Sequence, residues 1–335
     1  MGERLLDCKN LKVSFFMTGS TVQAVRDVSF HVDRNEVVAV VGESGCGKSV
    51  TQMSIMQLIQ TPPGKILSGD VTFDGIELLR GGKPIADMNQ VRGNRIAMIF
   101  QEPMTSLNPV FKIGNQFVDV LRAHNKGMSK KEAWALGAKA LDEVGIPDAE
   151  LRMRNYPFEL SGGMRQRVLI AFAVACQADL IIADEPTTAL DVTVQAQVME
   201  LLMDIKKKNN SSIVIVTHNL GLVSRYADRI YVMYAGQIVE SGTSEQILTD
   251  PRHPYTKGLL NAVPQIQADK KSDLVPIEGA PPSLANLDDK CAFLPRCGMK
   301  CDRCSSAACP SLKMYGTEGH MVACHLFDEE VADEK

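Results

Sequence analysis

The feature that most constrains this chain is the stretch Gly42-Glu43-Ser44-Gly45-Cys46-Gly47-Lys48-Ser49, set between segments of different periodicity. Before it, Val37-Val38-Ala39-Val40-Val41 is a continuous apolar run, which reads as a strand buried on both faces. After it, the pattern from Lys48 to about Gln60 predicts a helix, stopped by Thr61-Pro62-Pro63-Gly64. A strand, a Gly-rich loop and a helix in that order suit a phosphate chain. The glycines let backbone N–H groups close on anionic oxygens, and the helix start adds the positive end of its dipole. In this reading Lys48 reaches the β- and γ-phosphates and Ser49 ligates Mg²⁺. A Gly-rich turn that binds nothing is the alternative, and the full pattern in its context disfavours it.

The rest of the chain repeats the alternation of strand and helix. Residues 5–41 are rich in Val and Phe and read as strands, and strand-like segments return at Asp70–Phe73 and Arg95–Phe100. Residues 110–176 read as mostly helical. Ser129-Lys130-Lys131-Glu132 is a capping box, followed by Trp134, Ala138, Leu141 and Val144 at helical spacing. Leu180–Ala183, Ser212–Val216 and Arg229–Met233 read as further buried strands. Asp191 reads as the cap of a helix with Val194, Val198, Leu201 and Ile205 on one face. Such an order predicts an α/β fold with a parallel sheet and crossover helices.

Leu180-Ile181-Ile182-Ala183-Asp184-Glu185 supplies a second half for the phosphate site. An apolar strand brings Asp184 to its C-terminal end, where open α/β sheets bind ligands. Asp184 suits a Mg²⁺ ligand, and Glu185, one step further, suits a base that polarises a water attacking the γ-phosphate. A solvated strand end is the alternative.

Composition excludes several classes. The 335 residues carry 36 Lys plus Arg against 40 Asp plus Glu, a net charge of −4, which argues against a general binder of nucleic-acid backbones. No apolar run approaches the length of a membrane span, and MGERLLDCKN lacks a signal-peptide core. The chain therefore reads as soluble and cytosolic. Its nine cysteines are unevenly placed, with six after residue 290, a clustering that reads as a metal or cluster site before disulfides. Cys8, Cys46 and Cys176 read as ordinary buried small residues.

Leu160-Ser161-Gly162-Gly163-Met164-Arg165-Gln166 is a second Ser- and Gly-opened helix start, hence a second place for an anion. One phosphate chain does not need two from one subunit. The P-loop, this signature and the Asp-Glu strand end, in this order, resemble the ATP-binding-cassette (ABC) ATPases. The resemblance implies a RecA-like P-loop core with an antiparallel β subdomain and a helical insertion. It also implies a head-to-tail dimer, in which the signature of one subunit covers ATP on the P-loop of the other. Implied nucleotide contacts are Phe15 (Phe16 is adjacent), Gly42, Ser44, Gly45, Cys46, Gly47, Lys48, Ser49 and Val50, with Ser161, Gly162, Gly163 and Asp191 acting across the dimer. Implied Mg²⁺ ligands are Ser49, Gln101 and Asp184. Implied catalytic residues are Glu185, His218, Lys48 and Gln101, with His218 as the switch that contacts the γ-phosphate. Gln101 through about Val120 resembles the surface that receives a membrane subunit; the alternative is that Met104 and Phe111 are core residues.

Beyond residue 240 the resemblance narrows to the oligopeptide and dipeptide importer branch. It rests on Pro251–Thr256, Gly258–Pro264, Met104–Pro109, Cys291–Cys297 and His320–His325. Members of this type can hold a 4Fe–4S cluster, and by position the ligands are Cys291, Cys297, Cys304 and Cys324. Cys301 and Cys309 depart from that pattern, and Cys301-x-x-Cys304 is also a zinc-like pair. The expected domains are an ATPase domain at 1–245, its helical subdomain at about 102–165, an extension and linker at 246–290, and a Cys-rich cluster-binding tail at 291–335. Expected partners are a second ABC ATPase subunit, commonly a paralogue, two membrane permease subunits and an extracytoplasmic solute-binding protein. Nucleic acid is not among them. The expected place is peripheral, on the cytoplasmic face of the cell membrane. The rival readings are a non-transport ABC ATPase and an Fe–S redox-sensing ATPase. The interval from Lys48 to Ser161 holds no heptad run and the chain has one P-loop, which disfavours the repair and translation members of the family.

Overall fold

The computed structural model describes residues 2–188, 190–262, 276–316 and 319–328. They form two compact units, Met1–Ala86 with Thr217–Lys335, and Asp87–Val216. Ala189, Val263, Pro264, the linker as far as 275 and the chain beyond 328 lie outside the described residues.

In the first unit, the β-rich start forms an antiparallel sheet in the order Ser20–Asp33, Arg4–Met17, Gly64–Phe73, Ile76–Arg80, Lys83–Pro84. Leu6 faces both Val32 and Phe73 across its neighbours, and Val13 faces Val25, so the apolar positions of three strands meet on one face. A second set of strands runs Lys313–Met314, Met321–Val322, Gln237–Thr243, Arg229–Tyr234, Val37–Val41. Val37–Val41 pairs in parallel with Arg229–Tyr234, and all five of its residues are buried. Burial of each valine contributes about 1.5–3 kcal/mol, which accounts for the absence of polar alternation. The Asp228 carboxylate accepts the Val37 N–H at 2.8 Å and fixes where the strand begins.

The helix expected over Lys48 to Gln60 is shorter, Lys48–Ile55. Gln57 takes a left-handed backbone with φ 51°, and its side-chain amide donates to Leu78 O at 2.9 Å. A partner 21 residues away thus ends the helix before the prolines do. The following strand starts at Gly64, earlier than expected.

The second unit holds three parallel strands, Ile96–Ile99, Leu180–Asp184 and Ser212–Thr217, with helices Ile113–His124, Lys130–Glu143, Gly162–Cys176 and Val192–Asn209. The capping box forms: Glu132 N–H donates to Ser129 Oγ and Ser129 N–H to Glu132 Oε2. Helices pack closely where glycines allow it. A Cβ on Gly137 would stand 2.9 Å from Phe117, and Phe117 stacks on Phe172 with ring centroids 4.0 Å apart. Val192–Asn209 buries Val198, Met199, Leu202 and Ile205. The expected face is therefore rotated: Val194 and Leu201 lie half-buried at its margin. Among the described residues, no helix is long and apolar enough to cross a membrane.

Candidate functional site

The P-loop belongs to the first unit, and the chain's own backbone dictates its glycines. Gly47 sits at φ 104°, a conformation costly for any residue with a Cβ. A Cβ there would stand 2.2 Å from Ala24 O, and one on Gly42 2.1 Å from Met233 O. Lys48 is 4% exposed, and its ammonium donates to Gly42 O at 2.7 Å and Glu43 O at 3.0 Å. It therefore lies folded across the loop. Thr51 Oγ donates to Gly47 O at 2.9 Å and seats the helix start. Burial pushes the Cys46 thiol up, against the opposing charge of Lys48, so Cys46 is a neutral packing residue. Ser44 and Gly45 are exposed, and Ser49 and Val50 half-buried. Phe15 is half-buried, whereas Phe16 is exposed. His218, just after the strand Ser212–Thr217, is also exposed.

In the second unit, Leu180–Asp184 is buried throughout and Asp184 is 4% exposed. Glu185 takes a left-handed backbone, φ 47°, a strain on the order of 1–3 kcal/mol for a non-glycine residue. Its N–H donates to Val216 O at 2.8 Å. One carboxylate oxygen, Oε2, accepts from Thr188 Oγ at 2.7 Å and from the Gln101 amide at 3.0 Å. Gln101 and Glu185, 84 residues apart, thus meet directly. Thr188 was not among the expected residues. Its signal was local, since its N–H also returns to Glu185 O in a tight turn, and Asp-Glu-Pro-Thr-Thr reads as such a turn.

Ser161 caps Gly162–Cys176, its hydroxyl accepting the Met164 N–H at 3.3 Å. Asp191 likewise caps Val192–Asn209 through the Val194 N–H at 3.0 Å. Ser161, Gly162 and Asp191 are exposed. The segment expected to meet a membrane subunit carries exposed apolar side chains: Phe100, Met104, Val110 and Phe111. Met104 and Phe111 are each about half exposed, so the core alternative is excluded.

The cysteine tail packs within the first unit. Met321–Val322 pairs with Gln237–Thr243, Glu240 facing Val322. Glu240, fully buried, accepts from Arg252 N–H at 2.7 Å and His253 N–H at 2.9 Å and faces His320 Nε2 at 2.8 Å. One carboxylate thereby joins the 251–256 motif to the 320–325 motif. Cys291, Cys297, Cys304 and Cys324 line one small pocket, together with Phe293 and His325. Cys301 stands outside that lining, 3.5 Å from Cys304 Sγ. Cys309 lines a neighbouring cavity of about 310 Å³, its thiol 3.4 Å from Gln237 Oε1. Burial pushes the Cys324 thiol up to about 12, and burial raises Cys291 as well. Among the described residues, no three His, Cys, Asp or Glu stand together as a ready site for a single metal ion.

Residues 25–188 match the ABC transporter family, and residues 239–304 match the oligopeptide/dipeptide transporter C-terminal region. The fold is accordingly that of an ABC nucleotide-binding domain, a mixed α/β architecture. A dimeric ATP-binding cassette solved in a post-hydrolysis state with ADP and Pi superposes with a TM-score of 0.63 at 26% identity, covering 72% of this chain and 99% of that one. The chain is 51% identical over 292 residues to the oligopeptide transport ATP-binding protein OppD of Bacillus subtilis (strain 168), spanning 87% of this chain and 80% of that protein. It is 48% identical to AppD of the same organism, an oligopeptide transport ATP-binding protein, over 98% of this chain and 99% of that one. To DppD of that organism, a dipeptide transport ATP-binding protein, it is 46% identical over 98% of this chain and 96% of that one. The chain belongs to the ABC transporter family, with the ATP-binding proteins of oligopeptide and dipeptide transport.

Proposed function

We propose that this protein is the ATP-hydrolysing subunit of an ABC importer that takes up oligopeptides or dipeptides. The observation that carries the catalytic reading is Glu185. Its backbone is held left-handed, and its carboxylate is fixed by Thr188 and Gln101, directly after the buried strand-end Asp184.

The P-loop residues Gly42 and Ser44 through Val50 bind the phosphates, Lys48 supplying charge and the helix start supplying N–H groups. Phe15 stacks on the base. Ser49, Asp184 and Gln101 would hold Mg²⁺, which would supply positive charge against the phosphate oxygens when bound. Glu185 orients the attacking water and accepts its proton, Gln101 and Thr188 keeping the carboxylate in place for that role. His218 contacts the γ-phosphate. Ser161, Gly162, Gly163 and Asp191 act on nucleotide bound by a second ATPase subunit. The apolar side chains at Phe100, Met104, Val110 and Phe111 would receive a permease subunit, and with it the protein would sit peripherally on the cytoplasmic face of the membrane. A solute-binding protein completes the assembly.

The division we favour is an ATPase domain at 1–245 with its helical subdomain near 102–165, an extension at 246–290 and a tail at 291–335. Four thiols around one pocket suit the donor set of a 4Fe–4S cluster. Cys291, Cys297, Cys304 and Cys324 would hold it, and it would crosslink a segment with little core of its own. Purified with its two permease subunits and second ATPase, the protein hydrolyses ATP faster when a peptide-loaded binding protein is added. A rate indifferent to peptide would count against the importer reading.

A further inference from the structure

Glu43 is the one acidic residue inside the P-loop stretch. A free carboxylate there would repel the phosphates that the loop's N–H groups attract. Its three functional groups are all engaged within the first unit. The carbonyl accepts from Lys48 Nζ at 3.0 Å. The N–H donates to Tyr255 Oη at 2.8 Å. The carboxylate takes a bidentate pair from Arg296, Nη1 to Oε2 at 2.6 Å and Nη2 to Oε1 at 3.0 Å.

Arg296 comes from the cysteine tail, on the short turn Leu294–Arg296 between Cys291 and Cys297. Its side chain is 5% exposed. Its remaining donors are used on Glu278 O, Ile277 O and the Tyr234 hydroxyl. Tyr234, Tyr255 and Phe293 wall the pair in, with ring centroids 4.6 to 5.5 Å apart. A guanidinium fixed at five points cannot swing away, and its planar fork matches a carboxylate in one orientation.

From this geometry we infer that Arg296 is a positioning residue for nucleotide binding: the tail turns the Glu43 carboxylate away from the loop mouth and neutralises it. The tail is then a working part of the phosphate site and not an appendage. The inference rests on the reading of Gly42–Ser49 as that site.

The test uses the purified full-length chain, MgATP titrated by calorimetry, and melting temperatures measured alongside. Arg296→Ala weakens MgATP binding about tenfold, because an unpaired carboxylate now faces the phosphates. Adding Glu43→Gln to Arg296→Ala removes that charge and returns affinity to within about threefold of wild type, the coupling expected of a direct pair. A merely structural role for Arg296 would not be repaired this way, since the second change adds no contact to the tail. Arg296→Ala binding within about twofold of wild type overturns the inference. So does a loss that Glu43→Gln fails to repair, whether or not the melting temperature falls. Lys48→Ala separates the two readings. Unchanged affinity in that variant would refute the phosphate site itself, whereas abolished binding with a silent Arg296→Ala would refute the clamp alone.

Discussion

The protein carries two Gly-rich helix starts, and they differ in what demands their glycines. In the P-loop the demand comes from the chain. Gly42 and Gly47 each have a backbone carbonyl within about 2.2 Å of where a Cβ would stand, and Gly47 also needs a left-handed φ. At the signature, a Cβ on Gly162 would meet nothing within 4 Å, and one on Gly163 would lie in ordinary contact, 3.6 Å from Val194. Both sit in the first turn of the helix Gly162–Cys176, where glycine costs less than the roughly 1 kcal/mol of an interior position. Among the described residues, no close contact requires either glycine. The first helix start has its glycines explained by contacts within this chain. The second has the character of half a site, shaped for a surface the single chain does not supply, as a head-to-tail dimer would require.

The comparison breaks first at Gly47. Gly47→Ala collides with Ala24 O and forces a strained φ, so MgATP affinity falls by about a hundredfold or more and thermal stability drops. A variant that binds MgATP normally would show that the loop is not held as described. The tail, which lies against the P-loop through Arg296, gives the next effect. If the four cysteines hold the proposed 4Fe–4S cluster, anaerobically purified protein should be brown, with about four irons and four sulfides per chain. Single Ser replacements at Cys291, Cys297, Cys304 or Cys324 should then lose iron and destabilise the tail, while Cys301→Ser and Cys309→Ser should keep both iron and stability. One zinc without sulfide would overturn the cluster.

A smaller effect follows from His253, which lies two residues before the P-loop contact Tyr255. Burial lowers its pKa to about 4, opposed by the Glu240 carboxylate, so it is neutral when folded. The unfolded chain takes up that proton near pH 6.5. The contribution to stability is therefore full above about 6.5 and is lost as pH falls towards 4, on the order of 3 kcal/mol. Urea unfolding across that range should show the slope, and His253→Asn should flatten it. An unchanged slope in the variant would assign the loss to other groups. The smallest effect is at the signature. Gly162→Ala should leave monomer MgATP binding intact and not lower stability, any gain staying below about 1 kcal/mol, yet it should impair hydrolysis in the assembled transporter. Any loss of monomer ATP affinity would erase the distinction between the two helix starts.

What could be read from the sequence follows the same division. The P-loop is contiguous, and its strand, loop and helix appear in the periodicity alone. The capping box at Ser129 and the caps at Ser161 and Asp191 are equally local. The missed features depend on partners far along the chain. The helix from Lys48 ends at Ile55 because Gln57 turns to Leu78. The buried face of Val192–Asn209 is rotated towards Met199 and Leu202. The pairing of Arg296 with Glu43 spans 253 residues, and no spacing rule points to it. Resemblance supplied Gln101 as a site residue, but its direct bond to Glu185 became visible in the folded chain.

The central claim is that Glu185 activates the water that attacks ATP. The direct measurement is ATP turnover by Glu185→Gln in the assembled transporter, with turnover at the second ATPase site measured separately. The variant should bind MgATP with wild-type affinity, accumulate as an ATP-closed dimer and hydrolyse about 10²–10⁴-fold more slowly, the usual contribution of a general base. Hydrolysis within about threefold of wild type would contradict the account, because the loss of a general base costs far more than that.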